Sequence, residues 1–411
     1  MLRKNMNPKT MKATKFREER AYSRRVSLAV SAENVFQRFD DCKSTRNASR
    51  ARTTSPRTHG TFRFGFCGDD SAISLGNFNI NAKVRAVFCP SSLISLSSKG
   101  LKSPNPIIFD TDGRIRSGWR AAVFIFIFGI AAVMFGTVGF MALSSVGLDV
   151  RSWTSLFLVA NGLFSLIPAL LAGWACGKLL EGLPYRAIGA SFSGNWFVNF
   201  VSGNVLGFLT LGTAVVVAMV FGNMHFRLNA DADSGAVMLS LISSFLVFAA
   251  ASAFEEALFR GYILQTFVRS GLAWLAIAIT AIFFGAVHAG NPNAGVISTI
   301  NTVLAGIWFG IAFLKTRDLW FVWGLHLMWN FAQGSIFGSE VSGMHDIVTS
   351  PLLKEVDAGP LWLTGESYGI EGGIACTVAL ILSGLGIHCL PFPKPDPELL
   401  AMTEPPASNT A

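Results

Sequence analysis

The chain has 411 residues, 51% apolar and only 14% charged, with a net charge of +8. Soluble domains carry roughly 25% charged residues, so this composition excludes a water-soluble enzyme, a nucleic-acid-binding protein and a chain disordered throughout. The basic excess is local, because residues 1–118 hold 22 of the 33 Lys+Arg but 9 of the 25 Asp+Glu.

Residues 1–104 show no sustained helical or strand period. Arg, Lys, Ser, Thr and Asn dominate Met1–Gly60, and Arg50–Arg57 reads as solvated coil. No apolar run of adequate length follows the basic start, so a secretory signal is not expected. The segment reads as a disordered basic extension. Two alternatives stay open: an organelle transit peptide, against which Glu18-Glu19 and Asp40-Asp41 count, and untranslated sequence included by an over-long gene model. The six cysteines (Cys42, Cys67, Cys89, Cys176, Cys376, Cys389) form no CxxC pair. Neither a disulfide framework nor a zinc ribbon is expected, and those in apolar stretches read as buried thiols.

From Trp119 onward the pattern changes. Residues 121–148 and 152–177 contain no Asp, Glu, Lys or Arg. A spanning helix needs about 20 largely apolar residues, so each suffices. Residues 196–222 and 234–254 supply a third and a fourth crossing. The uncharged stretch 270–314 is too long for one crossing, and His288-Ala-Gly-Asn-Pro-Asn-Ala-Gly295 is a turn signal that divides it into two. Residues 319–339 and 372–393 give a seventh and an eighth. The loops at Lys178/Arg186, Arg269 and Lys315/Arg317 fall on one face together with the basic N-terminal segment. The opposite loops carry Asp149, Asp231/Asp233 and the acidic stretch 340–371. By the positive-inside rule the basic face is cytoplasmic. The expected fold is all-α: a polytopic membrane protein, a bundle of about eight transmembrane helices, with the extension over 1–104, the membrane domain over 105–395 and a polar tail over 396–411.

Ionisable groups at membrane depth cost roughly 2.5–3.5 kcal/mol on insertion scales, so each is a functional hypothesis. The set here is small: Glu255, Glu256 and Arg260 on the fourth helix, His288 on the fifth, and His326 with its polar neighbour Asn330 on the seventh. Glu256 and Arg260 are four apart and can pair on one helix face. Glu255 points about 100° away, toward a different neighbour. If the fourth helix runs to a turn near Ser270, Glu255 lies ~22 Å from that turn and His288 ~27 Å. Counted from a turn near Arg317, Asn330 lies ~20 Å in and His326 ~14 Å. The depths agree within one or two helical turns, so helices four, five and seven can build one intramembrane site.

The motifs are Glu255-Glu256-Ala-Leu-Phe-Arg260, Phe284-Gly-Ala-Val-His288 and His326-Leu-Met-Trp-Asn330. Each repeats a four-residue spacing on its own helix. Alone each is weak; in this order they resemble the CPBP family of intramembrane proteases, which includes the CAAX prenyl endopeptidases and bacteriocin-processing enzymes. The resemblance spans roughly residues 105–395, and Asp110–Arg120 resembles the start of bacterial members. It implies that Glu255 and His288 activate the attacking water. His326 and Asn330 would stabilise the oxyanion, and Glu256 with Arg260 would complete and orient the site. A zinc ion on Glu255, His288 and His326 and a metal-free, glutamate-dependent mechanism both stay open. HExxH, the local zinc signature, is absent from the sequence.

The expected activity is hydrolysis of a peptide bond in a membrane-associated peptide or protein, the prenylated CAAX type among the candidates. The expected location is a multi-pass position in a bacterial plasma membrane, with the lipid bilayer and the substrate as partners and no nucleic acid. The rival reading is a non-catalytic scaffold or immunity-type protein with the same helices. A proton-coupled transporter predicts an internal repeat, and residues 119–260 and 261–393 show none. Trp308, Trp320, Trp323 and Trp329 read as interface anchors and helix packing, Gly306 and Gly310 as a close-packing GxxxG, and 340–371 as a connector.

Overall fold

The computed structural model describes residues 105–404 except 111, 112, 149, 151, 152, 193, 194, 390 and 392. The expectations for residues 1–104, for Asp149, for Cys42, Cys67 and Cys89 and for the tail beyond residue 404 lie outside the described residues.

Each apolar segment is helical. In chain order the elements are α1 (Ser117–Ser145), α2 (Thr154–Glu181), α3 (Trp196–Gly222), β1 (Met224–Leu228) and α4 (Ser234–Glu256). A π-helical turn (Ala257–Ile263) carries α4 without a break into α5 (Leu264–Arg269). Then come α6 (Ala273–His288), α7 (Val296–Thr316) and α8 (Leu319–Phe331), the last extended by a second π turn (Ala332–Ile336). The order closes with β2 (Leu353–Asp357), α9 (Leu361–Thr364), α10 (Ile374–Cys389) and α11 (Pro397–Thr403). The ends follow local chemistry. Asp233 caps α4 by accepting from the amides of Gly235 and Ala236, and Asp318 caps α8 by accepting from Trp320. Gly182 closes α2 in the left-handed conformation.

Among the described residues, five helices are long and apolar enough to cross a bilayer: Ser117–Ser145, Thr154–Glu181, Trp196–Gly222, Ser234–Arg269 and Val296–Thr316. Two shorter apolar helices, Ala273–His288 and Ile374–Cys389, accompany them. At 16 residues each spans about 24 Å, less than the ~30 Å hydrocarbon core. Ile125, Phe126, Val133, Met134, Val138 and Met141 lie open along α1. So wide an apolar face belongs against lipid. The architecture is that of a polytopic helical membrane protein.

Side-chain bonds at the helix ends sort the loops by face. Glu181 at the end of α2 pairs with Arg120 at the start of α1 and, at 2.6 Å, with Arg269 at the end of α5. Arg186 pairs with Glu398 in α11, and Asn199 of α3 bonds Asp318 at 2.5 Å. These are the loops that the basic-residue count puts together. At the other end β1 and β2 pair antiparallel, with Met224 opposite Asp357 and Leu228 opposite Leu353. This two-stranded ribbon joins two loops and leaves the architecture mostly helical. It ties the connection after α3 to the one after α8, and it satisfies backbone groups that two irregular loops would leave to water.

α8 is set by close backbone approach. A Cβ on Gly203 or Gly207 of α3 would collide with the carbonyls of Phe321 or Leu325, and one on Gly324 would collide with the carbonyl of Phe200. Glycine is the residue that permits this contact, which fixes the depth of the helix carrying His326 and Asn330. Gly306 and Gly310 likewise admit Ala281 and Ile277 of α6, so the GxxxG packs within the bundle.

Candidate active site

Glu255 and Glu256 end α4, at the mouth of the first π turn. Glu256 is 1% exposed and Arg260 is fully buried. Glu256 Oε1 accepts from Arg260 Nη1 at 3.0 Å and faces His326 Nδ1 at 2.8 Å. Arg260 also donates from Nη2 to the carbonyl of Gly306 at 3.1 Å. Its guanidinium lies 4.9 Å from the ring centre of Phe284 and 5.0 Å from that of Phe309. The His326 ring stacks on Phe309 at 4.5 Å. The ion pair expected from the four-residue spacing therefore forms, and it fixes one nitrogen of His326.

Glu255 points elsewhere. Its Oε2 lies 4.0 Å from His288 Nε2 and 3.8 Å from His326 Nε2, and it is buried without a hydrogen-bond partner. The Nδ1 nitrogens of both histidines are already engaged. His288 Nδ1 is 2.8 Å from the carbonyl of Phe284, which can only accept, so Nδ1 carries the hydrogen. The same argument puts a hydrogen on His326 Nδ1 against the Glu256 carboxylate. Two Nε2 atoms and one carboxylate oxygen thus converge on the same space.

These groups open on one cavity of about 220 Å³. Glu255, His288, His326 and Asn330 all line it, and its remaining walls are mostly apolar, among them Phe248, Phe284, Trp308 and Phe309. By sequence depth these residues fall within one or two turns of a common level. The structure brings four of the six motif residues to the cavity. Glu256 and Arg260 do not line it and stand behind His326.

The connection between α8 and α10, expected to be a connector, contributes Val341, Ser342, Met344, Ile347 and Glu371 to the cavity wall. Trp329 and Ser342 hold Glu371 by hydrogen bonds, which draws this stretch onto α8. Trp308 and Trp329 are buried rather than interfacial: Trp308 Nε1 donates to Ser383 and Trp329 Nε1 to Glu371. Asn301 and Thr302, also in the wall, went unmarked in the sequence reading. The signal for Asn301 was present as a lone amide in a helix uncharged up to Lys315 in its last turn, but Glu371 sits among other loop acids and had none.

The donor set Glu255, His288 and His326 has chemistry that suits zinc. Its spacing does not. Zinc bonds of ~2.0–2.2 Å set tetrahedral ligand atoms about 3.4 Å apart, and the separations here are 3.8 and 4.0 Å. Among the described residues no group of three His, Cys, Asp or Glu is gathered closely enough to hold a metal ion. As placed, these residues do not fit a three-ligand zinc site.

Residues 237–332 match the family described as type II CAAX prenyl endopeptidase Rce1-like. The matched segment contains all three motifs and runs from α4 to the second π turn. The resemblance read from the motifs thus stands on a family match, which supports intramembrane endopeptidase activity in general. No curated protein matches the chain.

Proposed function

We propose that this relative of the type II CAAX endopeptidases hydrolyses a peptide bond in a membrane-associated peptide or protein, with Glu255 as general base and no metal in the path. The observation that carries the reading is the buried, unpartnered Oε2 of Glu255 held 3.8–4.0 Å from two Nε2 atoms. One water about 2.8 Å from both Glu255 and His288 bridges such a gap with an angle near 90°. That water gives a proton to Glu255 as its oxygen bonds to the scissile carbonyl carbon. His326 Nε2–H and the Asn330 amide donate to the oxyanion. On collapse, the proton passes from Glu255 to the leaving amine, so the carboxylate is restored.

The Glu256 carboxylate against Nδ1 holds the His326 ring so that Nε2 faces the cavity. Glu256 and Arg260 are positioning residues, because they reach the reaction only through His326. The bilayer we infer is a bacterial plasma membrane, since Asp110–Arg120 resembles the start of bacterial members of the family.

The test is Glu255→Gln in the purified chain. It keeps the shape at an oxygen that has no partner to lose, so the unfolding temperature should stay near that of the native protein. Cleavage should fall by ~10²-fold or more, the usual worth of a general base. Cleavage at the native rate would falsify the mechanism. If a chelator abolishes native activity and zinc restores it, Glu255 changes from base to ligand.

A further inference from the structure

The helices carry amide side chains beyond the three motifs, and hydrogen bonding sorts them. Among the described residues the helices hold five asparagines: Asn161 in α2, Asn199 and Asn204 in α3, Asn301 in α7 and Asn330 in α8. Three are bonded within the protein. Asn199 donates to Asp318, Asn204 to the carbonyl of Phe200, and Asn301 to the carbonyls of Glu371 and Gly373. Asn161 and Asn330 have no hydrogen-bond partner among the described residues, and both line the catalytic cavity. Asn330 already has a place in the proposed mechanism. Asn161 has none, yet it is an exposed amide on a spanning helix, where an amide without a hydrogen bond is costly.

Two contacts fix the height of Asn161 against the chemistry. A Cβ on Gly162 would stand 2.9 Å from Ala250 Cβ and 3.1 Å from its carbonyl carbon, so α2 and α4 touch at that level. Glu181 and Arg269, each 19 residues further along its own strand of the bundle, pair at 2.6 Å. The two helices therefore run parallel and keep one register between these contacts. On that register Asn161 lies six residues from the level of Glu255, ~9 Å along the bundle toward the start of α2. An extended peptide advances ~3.3 Å per residue, so the offset is about two or three residues of substrate.

We propose that Asn161 binds the substrate backbone about two or three residues from the scissile bond. A helical segment keeps its carbonyls in its own hydrogen bonds, so a segment cut at Glu255 enters the cavity extended. Extension frees an N–H and a C=O at each residue, and hydrocarbon offers a partner to neither. One side-chain amide matches both: Asn161 Oδ1 accepts from a substrate N–H, and Nδ2 donates to a substrate C=O. The contact reads the backbone and is indifferent to the side chain at that position. It holds the segment extended and in line with Glu255. This inference rests on the endopeptidase reading and adds a substrate-binding residue to that same site.

The experiment uses the full chain in phosphatidylcholine nanodiscs. Quenched peptides of one sequence carry a farnesyl or a palmitoyl anchor. In each member of the series one backbone amide becomes an ester, which removes a single N–H. Both kcat/KM and binding anisotropy are read, and product masses locate the cleaved bond. In the native protein one ester, about two or three residues from that bond, should cost about tenfold in kcat/KM, chiefly through KM, as the loss of one hydrogen bond does. Asn161→Leu should cost the all-amide peptide about tenfold and treat that one ester and the all-amide peptide alike, within about twofold. Esters elsewhere should act equally on both proteins. Asn161 has no partner to lose, so the unfolding temperature of Asn161→Leu should match that of the native protein. Native-rate cleavage by Asn161→Leu, or a loss in which the same ester keeps its tenfold cost, would overturn the proposal. Ester-sensitive binding that Asn161→Leu abolishes, without cleavage of any peptide, upholds the backbone contact and rejects the endopeptidase reading. Cleavage with no ester effect that depends on Asn161 does the reverse, and peptides that neither bind nor react reject both.

Discussion

At the residue scale, Glu256 Oε1 does two jobs, accepting from Arg260 at 3.0 Å and holding His326 Nδ1 at 2.8 Å. Arg260 in turn bonds the carbonyl of Gly306 and lies between the rings of Phe284 and Phe309. An arginine suits this place because its planar fork donates in two directions while its faces stack on rings. Arg260→Ala would strand Glu256 as an uncompensated charge in a fully buried setting. We expect a loss of about 3–5 kcal/mol of stability together with loss of cleavage. Thermal unfolding in detergent reads this directly, with Glu255→Gln as the variant that should lose activity alone. An unfolding temperature in Arg260→Ala equal to that of Glu255→Gln would dismiss the pair as a structural necessity.

At the scale of elements, the helix carrying the first motif passes into a π turn within that motif, at Ala257–Ile263, which holds Arg260, and the helix carrying the third passes into one just after it, at Ala332–Ile336. A π turn widens the helix locally and re-aims the side chains that follow, and such turns recur at functional sites. Nothing in the residue types announces them. The β1–β2 ribbon is the other element that sequence periodicity does not suggest, and it carries a titratable group outside the membrane. Glu355, in register with Phe226, has its carboxyl pushed up to about 7, chiefly by burial and further by nearby Asp357 and Glu340, while the Ser339 hydroxyl pulls the other way. The folded chain therefore holds a proton that the unfolded chain releases near the ordinary value of 4.5. The contribution of this group is full below that value and is lost as pH rises through about 7. Glu355→Gln should flatten that part of the stability profile, read as unfolding temperature against pH. The same slope in variant and native protein would remove Glu355 as its cause.

Across the whole molecule, the loop pairings divide the helix ends into two sets. Glu181 gathers Arg120 and Arg269, and Arg186 meets Glu398, at one end; β1 meets β2, and Lys354 meets Asp231 at 2.7 Å, at the other. A bilayer between these sets puts Lys178, in the last turn of α2, and the connection before α10 on opposite sides. In a background without other cysteines, Lys178→Cys and Asp346→Cys should react with an impermeant maleimide from opposite faces of sealed vesicles. Labelling of both from one face would break the arrangement and the count of crossings with it.

The sequence by itself determined the class of the molecule, because uncharged apolar runs of spanning length leave little else to form than lipid-facing helices. It also marked Glu255, Glu256, Arg260, His288, His326 and Asn330, since a charge or imidazole stands out where nearly everything else is apolar. Four-residue spacing then foretold the Glu256–Arg260 pair, which a single helix face settles locally. Tertiary structure decided which of the six reach the cavity and which stand behind it, because that depends on how α4, α6 and α8 are rotated against one another. It decided the depth of α8 through glycine contacts with α3, which no local pattern encodes. It also decided that Glu371 faces the cavity: a loop acid is one among several until a distant Trp329 and Ser342 donate to it, and the bonds that select it join residues 29 or more positions apart.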